Sequence, residues 1–363
     1  MRKVISITLI LAMILSLAAL AGCNASKSSG YEIALITDLG SIDDKSFNQG
    51  SWEGVKKYAE EKKITYQYYK PAEGTNAAYI EAIELAIKGG AKIVVTPGYL
   101  FEVPIYEVQS KHPNIRFILL DGEPHTEDVE NPVYKTESNT LCIKYAEEEV
   151  GFYAGYAAVK DGFTKLGFQG GMAVPAVIRY GYGFLQGAEM AAAEMGLPEG
   201  SIEIKYNYSG DFAATPENQA RAASWFESGT EIIFACGGAV GNSVMAAAEA
   251  SKDKYVIGVD VDQSGESPTV ISSAMKMLGH SVYKALESSY NNKWEGGKTW
   301  ILDTSNDGVG LEMDHAKWRT FNKADYEALY KAVLDGKYSI IKDTTITIDE
   351  LGLKYVKTTL VEA

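Results

Sequence analysis

The chain has 363 residues and carries 48 acidic against 34 basic side chains, which gives a formal net charge of −14 at pH 7. A chain this acidic does not bind nucleic acid or anionic lipid headgroups by electrostatic attraction, so those partners are excluded. The length exceeds what one hydrophobic core usually serves, and we therefore expect two lobes.

The first 23 residues are typical of an export signal. Arg2 and Lys3 precede an apolar run over 4–20, and small residues then lead to Cys23. A charged start, a short apolar core and a small-residue boundary describe a secretory signal peptide. The ending resembles a bacterial lipobox, which implies cleavage before Cys23 and a palmitate-bearing lipid on that residue. An ordinary signal peptide and an uncleaved anchor stay open as alternatives.

We therefore predict a lipoprotein signal peptide over 1–22 and a flexible tether over 23–30. No later stretch is long and apolar enough to cross a bilayer, so attachment to the outer face of the cell membrane would come from lipid on Cys23. Cys142 and Cys236 lie in apolar or mixed segments. A disulfide between them is open, but small buried side chains are the favoured interpretation.

From residue 31 the sequence alternates strand-like and helix-like segments. Apolar, β-branched runs predict strands over 33–37, 64–69, 92–96 and 116–120. Helices are predicted between them, over 46–61, 77–88 and 103–111.

A second series of the same kind follows. Its predicted strands span 165–168, 202–208, 231–236 and 255–259, and its predicted helices span 143–160, 182–195, 216–228 and 241–251. Apolar strands between helices indicate parallel sheets covered on both faces. After Asp262 the pattern is less regular, and a helix over 274–290 with a mixed tail indicates that the chain crosses back between lobes.

The predicted fold class is α/β, with two doubly wound parallel-sheet lobes joined by a hinge. We assign 31–143 plus 274–305 to the first lobe and 144–273 plus 306–363 to the second. The candidate hinges lie near Asn139 and Ser272. In such sheets ligands bind where loops leave the carboxyl ends of the strands, so the polar residues after each strand are the candidates.

The loop after the first strand begins at Asp38 and ends at Phe47 and Asn48. Helix N-capping is the favoured role of three polar residues in this loop, Asp43, Asp44 and Ser46. An aromatic ring beside an acid and an amide suits stacking on a planar ring and hydrogen bonding to its polar edge. On spacing alone, Phe47 is explained equally well as a core residue.

Three later loops offer further candidates. Asp121 follows the fourth strand, where an acid is also a common turn residue. Phe212 lies in the loop after the strand over 202–208. The glycine-rich segment 237–241 allows backbone N–H groups to approach a ligand oxygen, or it is simply a turn before a helix.

No motif points to an enzyme. The phosphate-binding spacings G-x-G-x-x-G and G-x-x-x-x-G-K-[ST] do not occur, and the histidines lack metal-ligand spacing. The segment from Asp260 begins like a calcium loop but has Ile271 where glutamate is required. A G-x-S-x-G elbow and a cysteine with a base partner are also missing from the sequence. We predict no catalytic residue, no metal and no cofactor.

A series of motifs in fixed order carries a family resemblance. The motifs are Asp38, the run 43–49, the glycines of 167–171 and of 237–241, the run 257–263, and Ser273 with Lys276. Together they resemble the basic membrane protein family of solute-binding lipoproteins, the purine nucleoside receptor A-like group, from about residue 31 to the tail. The resemblance implies a type I periplasmic-binding fold and delivery of purine nucleosides to an ABC permease and ATPase.

The resemblance also implies contacts with the base of the ligand. The implied base contacts are Asp38, Asn48 and Asp121, and the implied stacking rings are Phe47 and Phe212. Trp52 is an alternative that would share the stacking with Phe47.

For the ribose hydroxyls the resemblance implies Gly238, Asp260 and Lys276. Gly237 and Asp262 stay open as replacements for the first two. Carboxylates accept hydroxyl protons and an ammonium supplies donors, so these residue types suit a sugar. Acids in the cleft would also repel a phosphate, which favours nucleosides over nucleotides.

Other functions stay open beside nucleoside capture for a transporter. A sensory lipoprotein of the same fold would bind a ligand without a permease, and another small solute would fit the same architecture. A nucleoside hydrolase is less favoured, because it would need a catalytic acid or base.

Overall fold

The computed structural model describes residues 30–128 and 130–362. The predicted signal peptide, the lipidation at Cys23 and the tether up to residue 29 lie outside these residues. Among the helices that are described, none combines the length and the apolar content needed to span a bilayer. The described chain forms two sheets with helices on their faces, and all strand pairs but one are parallel. The predicted α/β fold with two doubly wound lobes is confirmed.

Strands and helices alternate through both lobes. The first lobe begins with β1 (Ile33–Ile36), α1 (Phe47–Lys62), β2 (Tyr66–Tyr69), α2 (Asn76–Lys88), β3 (Ile93–Pro97), α3 (Glu102–Gln109), β4 (Arg116–Leu120) and β5 (Thr140–Tyr145). The second lobe follows with α4 (Glu147–Lys160), β6 (Lys165–Gly170), α5 (Pro175–Glu194), β7 (Ile202–Tyr208), α6 (Pro216–Glu227), β8 (Ile232–Cys236), α7 (Val240–Glu249), β9 (Tyr255–Asp260) and β10 (Val270–Lys276). The chain returns to the first lobe for α8 (Leu278–Tyr290) and β11 (Lys298–Leu302), and ends in the second with β12 (Val309–Leu311), α9 (Lys323–Leu334) and β13 (Val356–Leu360).

The strand order of each sheet determines where a ligand can bind. The first sheet has the order β11-β5-β4-β3-β1-β2, and the second has β12-β10-β9-β8-β6-β7-β13. In the first sheet β1 lies between β2 and β3, and in the second β6 lies between β7 and β8. The loops on either side of such a switch point separate and leave a crevice at the carboxyl ends of the strands. The loops after β1, β3, β6 and β8 therefore surround the candidate site.

The chain first crosses between lobes at two single residues. Ala146 is the only residue between β5 and α4, and Met277 is the only one between β10 and α8. Both have the backbone angles of an inverse γ-turn, with φ −86°, ψ 72° at Ala146 and φ −78°, ψ 52° at Met277. A third crossing runs from β11 to β12 through the short helix Thr304–Asn306. These three links are where the lobes can move relative to each other.

The predicted crossing points require correction. Boundaries after residues 143 and 273 fall inside β5 and β10 rather than at their ends. Neither predicted hinge lies at a crossing, since Ser272 is within β10 and Asn139 precedes β5. The Asn139 amide donates to the carbonyls of Gln109, His112 and Ile115, which ties it to the first lobe.

The same boundaries explain the errors in the predicted elements. Each predicted helix over 143–160 and 274–290 joined a strand end to the helix behind it, because one residue separates them and both are apolar. The predicted helix over 182–195 begins earlier, at Pro175, whose ring suits the first turn of a helix. The prediction missed the strands β5 and β10, whose last residues it assigned to the helices over 143–160 and 274–290, and it also missed β11, β12, α9 and β13. Of these, β11, β12 and β13 are edge strands with partly exposed side chains or very few residues.

Two helices of the second lobe pack with unusually little separation. A Cβ added at Gly155 would lie 2.0 Å from the Phe184 carbonyl oxygen, and one at Gly183 would lie 2.2 Å from that of Glu148. Glycines are required there because any side chain would collide with the opposite backbone. The close packing of α4 on α5 brings the first turns of both helices together beside the end of β10.

Cys142 and Cys236 are free and buried, one in each sheet. Burial raises the pKa of the Cys142 thiol to about 12. Their favoured interpretation as small core side chains is confirmed.

Candidate ligand-binding cleft

A cleft between the two lobes contains about 680 Å³ of space, counting its open mouth. All the ligand-binding residues predicted from the sequence line it, and they are Asp38, Phe47, Asn48, Asp121, Phe212, Gly238, Asp260 and Lys276. The first four belong to the first lobe and the others to the second, so the site exists only where the lobes meet.

The loop between β1 and α1 is held by its own acids. Asp38 Oδ1 accepts hydrogen bonds from the Gly40 N–H at 2.7 Å and from the Asn48 amide at 2.8 Å. Asp44 accepts from the Ser46 N–H at 2.8 Å and the Asn48 N–H at 3.0 Å. Asp44 therefore caps α1, as the sequence indicated.

The other predicted caps of α1 have different partners. The Asp43 carboxylate accepts from the Ser41 hydroxyl. The Ser46 hydroxyl donates to Asp260 Oδ2 at 2.5 Å, across the cleft. Capping by these two residues is wrong, because Asp44 already occupies the free N–H groups of the first turn.

Asn48 is buried, and its side-chain amide is occupied by protein partners. Its Nδ2 donates to Asp38 and to Asp44 at 2.9 Å, and its Oδ1 accepts from the Asp38 N–H at 3.3 Å. Both of its donor hydrogens are used, so Asn48 acts on a ligand chiefly by orienting Asp38. Burial raises the pKa of Asp38 to about 6, although the hydrogen bonds from Gly40 and Asn48 oppose that rise.

Both aspartates at the carboxyl ends of strands have left-handed backbones. Asp121, after β4, has φ 58°, and Asp260, at the end of β9, has φ 68°. Residues with a Cβ rarely adopt this conformation, although aspartate tolerates it better than most. Such strain collects at functional sites, because it turns a side chain away from the regular strand direction. At both positions the residue with the strained backbone lines the cleft.

Lys276 is the centre of the polar network at the base of the cleft. Its Nζ lies 2.5 Å from Asp121 Oδ2 in the first lobe and 2.9 Å from Glu147 Oε1 in the second. Three aromatic rings surround the same ammonium, those of Phe47, Tyr145 and Tyr180, with centroids 5.0, 5.1 and 5.3 Å away. The contact with Asp121 is a direct ion pair between the lobes.

The charges of this network are set by burial and by mutual attraction. Burial opposes the charged form of Lys276, but Asp121, Glu147 and Asp260 together raise its pKa above the usual value. Burial raises the pKa of Asp121 to about 7, against the attraction of the ammonium. Burial also raises the pKa of Asp260. The lysine therefore stays charged, while desolvation disfavours the charged forms of Asp121 and Asp260.

The two predicted stacking rings lie on opposite sides of the cleft. Phe47 is the first residue of α1, and Phe212 lies in the loop after β7. Trp52, the alternative to Phe47, packs instead against Tyr66 and Tyr68 with centroids 5.3 and 5.7 Å apart. It does not line the cleft.

The glycines after β8 lie close to neighbouring backbone. A Cβ at Gly237 would be 2.5 Å from the Gly171 nitrogen, and Gly238 has φ 54°. Both glycines line the cleft, so the structure does not separate these two alternatives. Asp262 does not line it and instead contacts His315 Nδ1 at 2.8 Å near the surface.

A known family accounts for this arrangement. The family model described as "ABC transporter substrate-binding protein PnrA-like" matches residues 32–350. The chain belongs to this family. The predicted family resemblance is confirmed, and so is the prediction that the chain is a binding protein and not an enzyme.

Relatives of the PnrA-like family agree over most of the chain. The ABC transporter nucleoside-binding protein BmpA of Lactococcus lactis is 27% identical and covers 93% of this chain and 99% of its own length. Basic membrane protein B of Borrelia garinii is 30% identical, with coverage of 79% and 82%. A solved ABC transporter solute-binding protein from Aeropyrum pernix superposes with a TM-score of 0.75 at 20% identity, covering 89% and 97% of the two chains.

Membership in the PnrA-like family establishes the general role of the chain. It is an extracytoplasmic substrate-binding protein of an ABC transporter, so it has a solute ligand and transporter partners. The solved neighbour shows the type I solute-binding fold and supports the predicted architecture.

Several residues of the site were not predicted from the sequence. Tyr99, Val177 and Tyr180 line the cleft, and Glu147 holds Lys276 from behind. The proline at residue 175 could have indicated that a helix starts beside the cleft, which would have suggested Val177 and Tyr180. Glu147 gave no signal, because it lay inside a predicted helix with two further glutamates after it.

Proposed function

We propose that this substrate-binding protein captures nucleosides, with a preference for purines, and passes them to its ABC permease. The observation that carries the proposal is the combination in one cleft of aromatic rings from both lobes with one lysine and with the buried side chains of Asp38, Asp121 and Asp260. A nucleoside has a flat ring to stack and a sugar rich in hydroxyls, so it needs both kinds of group.

Stacking explains why closure of the lobes would be coupled to binding. Phe47 and Phe212 reach the ligand only if each lobe contributes its ring. Base–aromatic stacking contributes about 1–3 kcal/mol per base, and it is insensitive to the identity of the base. Hydrogen bonds to Asp38 and Asp121 would then distinguish bases by their donor groups, because a carboxylate only accepts.

The acidic character of the cleft favours an uncharged ligand. Asp38, Asp121 and Asp260 all line the cleft, and its one ammonium, that of Lys276, already contacts the carboxylates of Asp121 and Glu147. A nucleotide phosphate would add negative charge to this group, and it would find no free cation among the lining residues. The name of the Lactococcus lactis relative, a nucleoside-binding protein, supports the same ligand class.

Attachment to the membrane forms a second part of the proposal. We infer that lipid on Cys23 anchors the protein at the outer face of the cell membrane, with the tether over 23–30 giving it reach. Metabolic labelling with a palmitate analogue tests this. Cys23→Ser should abolish incorporation, and labelling that persists in this variant contradicts the anchor.

Calorimetric titration tests the ligand. The protein is titrated with guanosine, inosine, adenosine, cytidine, ribose and guanine, and the nucleosides are analysed afterwards for cleavage. We expect tight binding of intact purine nucleosides, weaker binding of cytidine, and little binding of ribose or guanine alone. Absence of heat with every nucleoside contradicts the proposal and directs the search to other small solutes, while release of free base would indicate a hydrolase.

A further inference from the structure

The ammonium of Lys276 is held from two sides that belong to different lobes. Asp121 approaches it from the first lobe and Glu147 from the second. When the lobes separate, the contact with Asp121 must break, whereas the contact with Glu147 moves with the lysine. Glu147 is therefore the partner that can hold Lys276 while the cleft is open.

The position and burial of Glu147 suit it to hold Lys276. It is the first residue of α4, directly after the crossing at Ala146, and its side chain is 0% exposed. The positive end of the helix dipole favours a carboxylate at that position. Its two oxygens are divided between two cations, Oε2 to Arg179 Nε at 2.6 Å and Oε1 to Lys276 at 2.9 Å.

Arg179 fixes the direction of that carboxylate. It lies in α5, whose close packing on α4 depends on glycines such as Gly155 and Gly183. Arg179 and Lys276 together hold the pKa of Glu147 below its usual value in spite of burial, so the carboxylate stays ionised. Because Arg179 holds one oxygen of the buried carboxylate, the other oxygen keeps a fixed position towards Lys276.

We propose that Glu147, oriented by Arg179, is a positioning residue that holds Lys276 on the second lobe for contact with the sugar hydroxyls of a nucleoside. The sugar contact rests on the function proposed above. In the open cleft the pair prevents the long lysine side chain from following Asp121 or turning to solvent. The lysine side chain is then already ordered when the sugar binds, which reduces the entropy lost on binding.

The variant Glu147→Gln tests this role in full-length protein purified in detergent. The matched control is Glu148→Gln, which makes the same change at the next buried residue. Glu148 lies 3.8 Å from Arg179, and its contacts do not include Lys276. Thermal unfolding of both variants establishes that they are folded before binding is compared.

The first readout compares inosine with 2′,3′-dideoxyinosine, which lacks the 2′- and 3′-hydroxyls of the sugar and keeps the 5′-hydroxyl. Glu147→Gln should weaken inosine binding about tenfold to a hundredfold, the usual range for a lost charged hydrogen bond. Binding of the dideoxy compound should change little, and Glu148→Gln should change neither. Equal losses for both ligands would show a general structural defect and overturn the proposal.

The second readout needs no nucleoside. Acetic anhydride labels uncharged amines, and mass spectrometry of the ligand-free protein reports the labelling rate of Lys276. Loss of one carboxylate lowers the pKa of the ammonium, so Lys276 should react faster in Glu147→Gln than in wild type or Glu148→Gln. An unchanged rate overturns the positioning role even if nucleosides bind. If wild type binds neither inosine nor its dideoxy analogue, the sugar contact fails together with the proposed ligand, and the labelling result still decides whether Glu147 holds the lysine.

Discussion

The two walls of the cleft are stabilised in different ways. On the first lobe, Asp38 is held by Gly40 and Asn48, which are close to it in the chain. On the second lobe, Asp260 and Lys276 find partners across the cleft, in Ser46 and Asp121. The first wall is therefore organised before the lobes meet, whereas the second wall is completed only when the lobes close. Before closure, Glu147 is the partner of Lys276 on the same lobe.

Buried charges in one site can therefore have opposite effects on the stability of the fold. Within residues 30–128 and 130–362, no cation contacts the carboxylate of Asp38, which is desolvated, so its charge opposes folding of the empty protein. The ammonium of Lys276 neutralises several carboxylates, so its charge supports the fold. Removing the two charges should separate these cases.

The largest effect is expected for Lys276→Met. The change leaves Asp121 and Glu147 buried without their shared cation, and breaking a buried ion pair from one side costs about 3–5 kcal/mol. Chemical denaturation measures the free energy of unfolding, and Lys144→Met, in a half-exposed pair with Glu123, serves as the control. An unfolding free energy equal to that of wild type would mean that the second wall does not depend on this cation.

The next largest effect is expected on ligand binding when Asp121, which links the two walls of the cleft, is replaced. Asp121→Ala should weaken purine nucleoside binding by about 1.5–3 kcal/mol, since a charged hydrogen bond is lost. Asp262→Ala, outside the cleft, should leave the affinity unchanged. Calorimetry checks both variants, and normal binding by Asp121→Ala would remove this residue from the base contacts.

A stabilising effect is expected for Asp38→Asn. The folded pKa of about 6 lies above the ordinary aspartate value of 3.8, so the favourable protonated form is lost as pH rises through about 6. The variant should gain on the order of 1–2 kcal/mol of unfolding free energy over wild type at pH 8, and less at pH 5. Nucleoside affinity should fall at the same time. Thermal unfolding at both pH values measures the gain, and a gain that is larger at pH 5 contradicts the assignment.

The smallest effect is expected at the rim of the cleft. Lys45 and Glu266 form an ion pair between the lobes at 3.5 Å, and both side chains are more than a third exposed. Glu266→Ala should change nucleoside affinity by less than about 1 kcal/mol, because solvent screens such pairs. A larger loss at low salt would mean that rim contacts, and not the buried lysine, hold the lobes together.

Much of the site was accessible from the sequence because loops after strands are recognisable. The aspartates at 38, 121 and 260 each follow an apolar run, and parallel strands bring their carboxyl ends to one edge. The sequence could not decide whether Asp260 or Asp262 lines the cleft. The left-handed backbone at Asp260, with φ 68°, makes the two side chains point in different directions, and this conformation is not visible in the sequence. Glu147 was missed for a related reason, since its partner Lys276 is far away in the chain.

The amino-acid sequence is sufficient to predict the α/β class, the two series of strands and helices, and the family to which the chain belongs. These follow from local periodicity and from motifs that do not depend on distant contacts. The folded structure is needed to identify the crossings at Ala146 and Met277, the edge strands, and the partners of Lys276. Those features depend on which residues are brought together and how deeply they are buried, and burial then sets the charges on which binding depends.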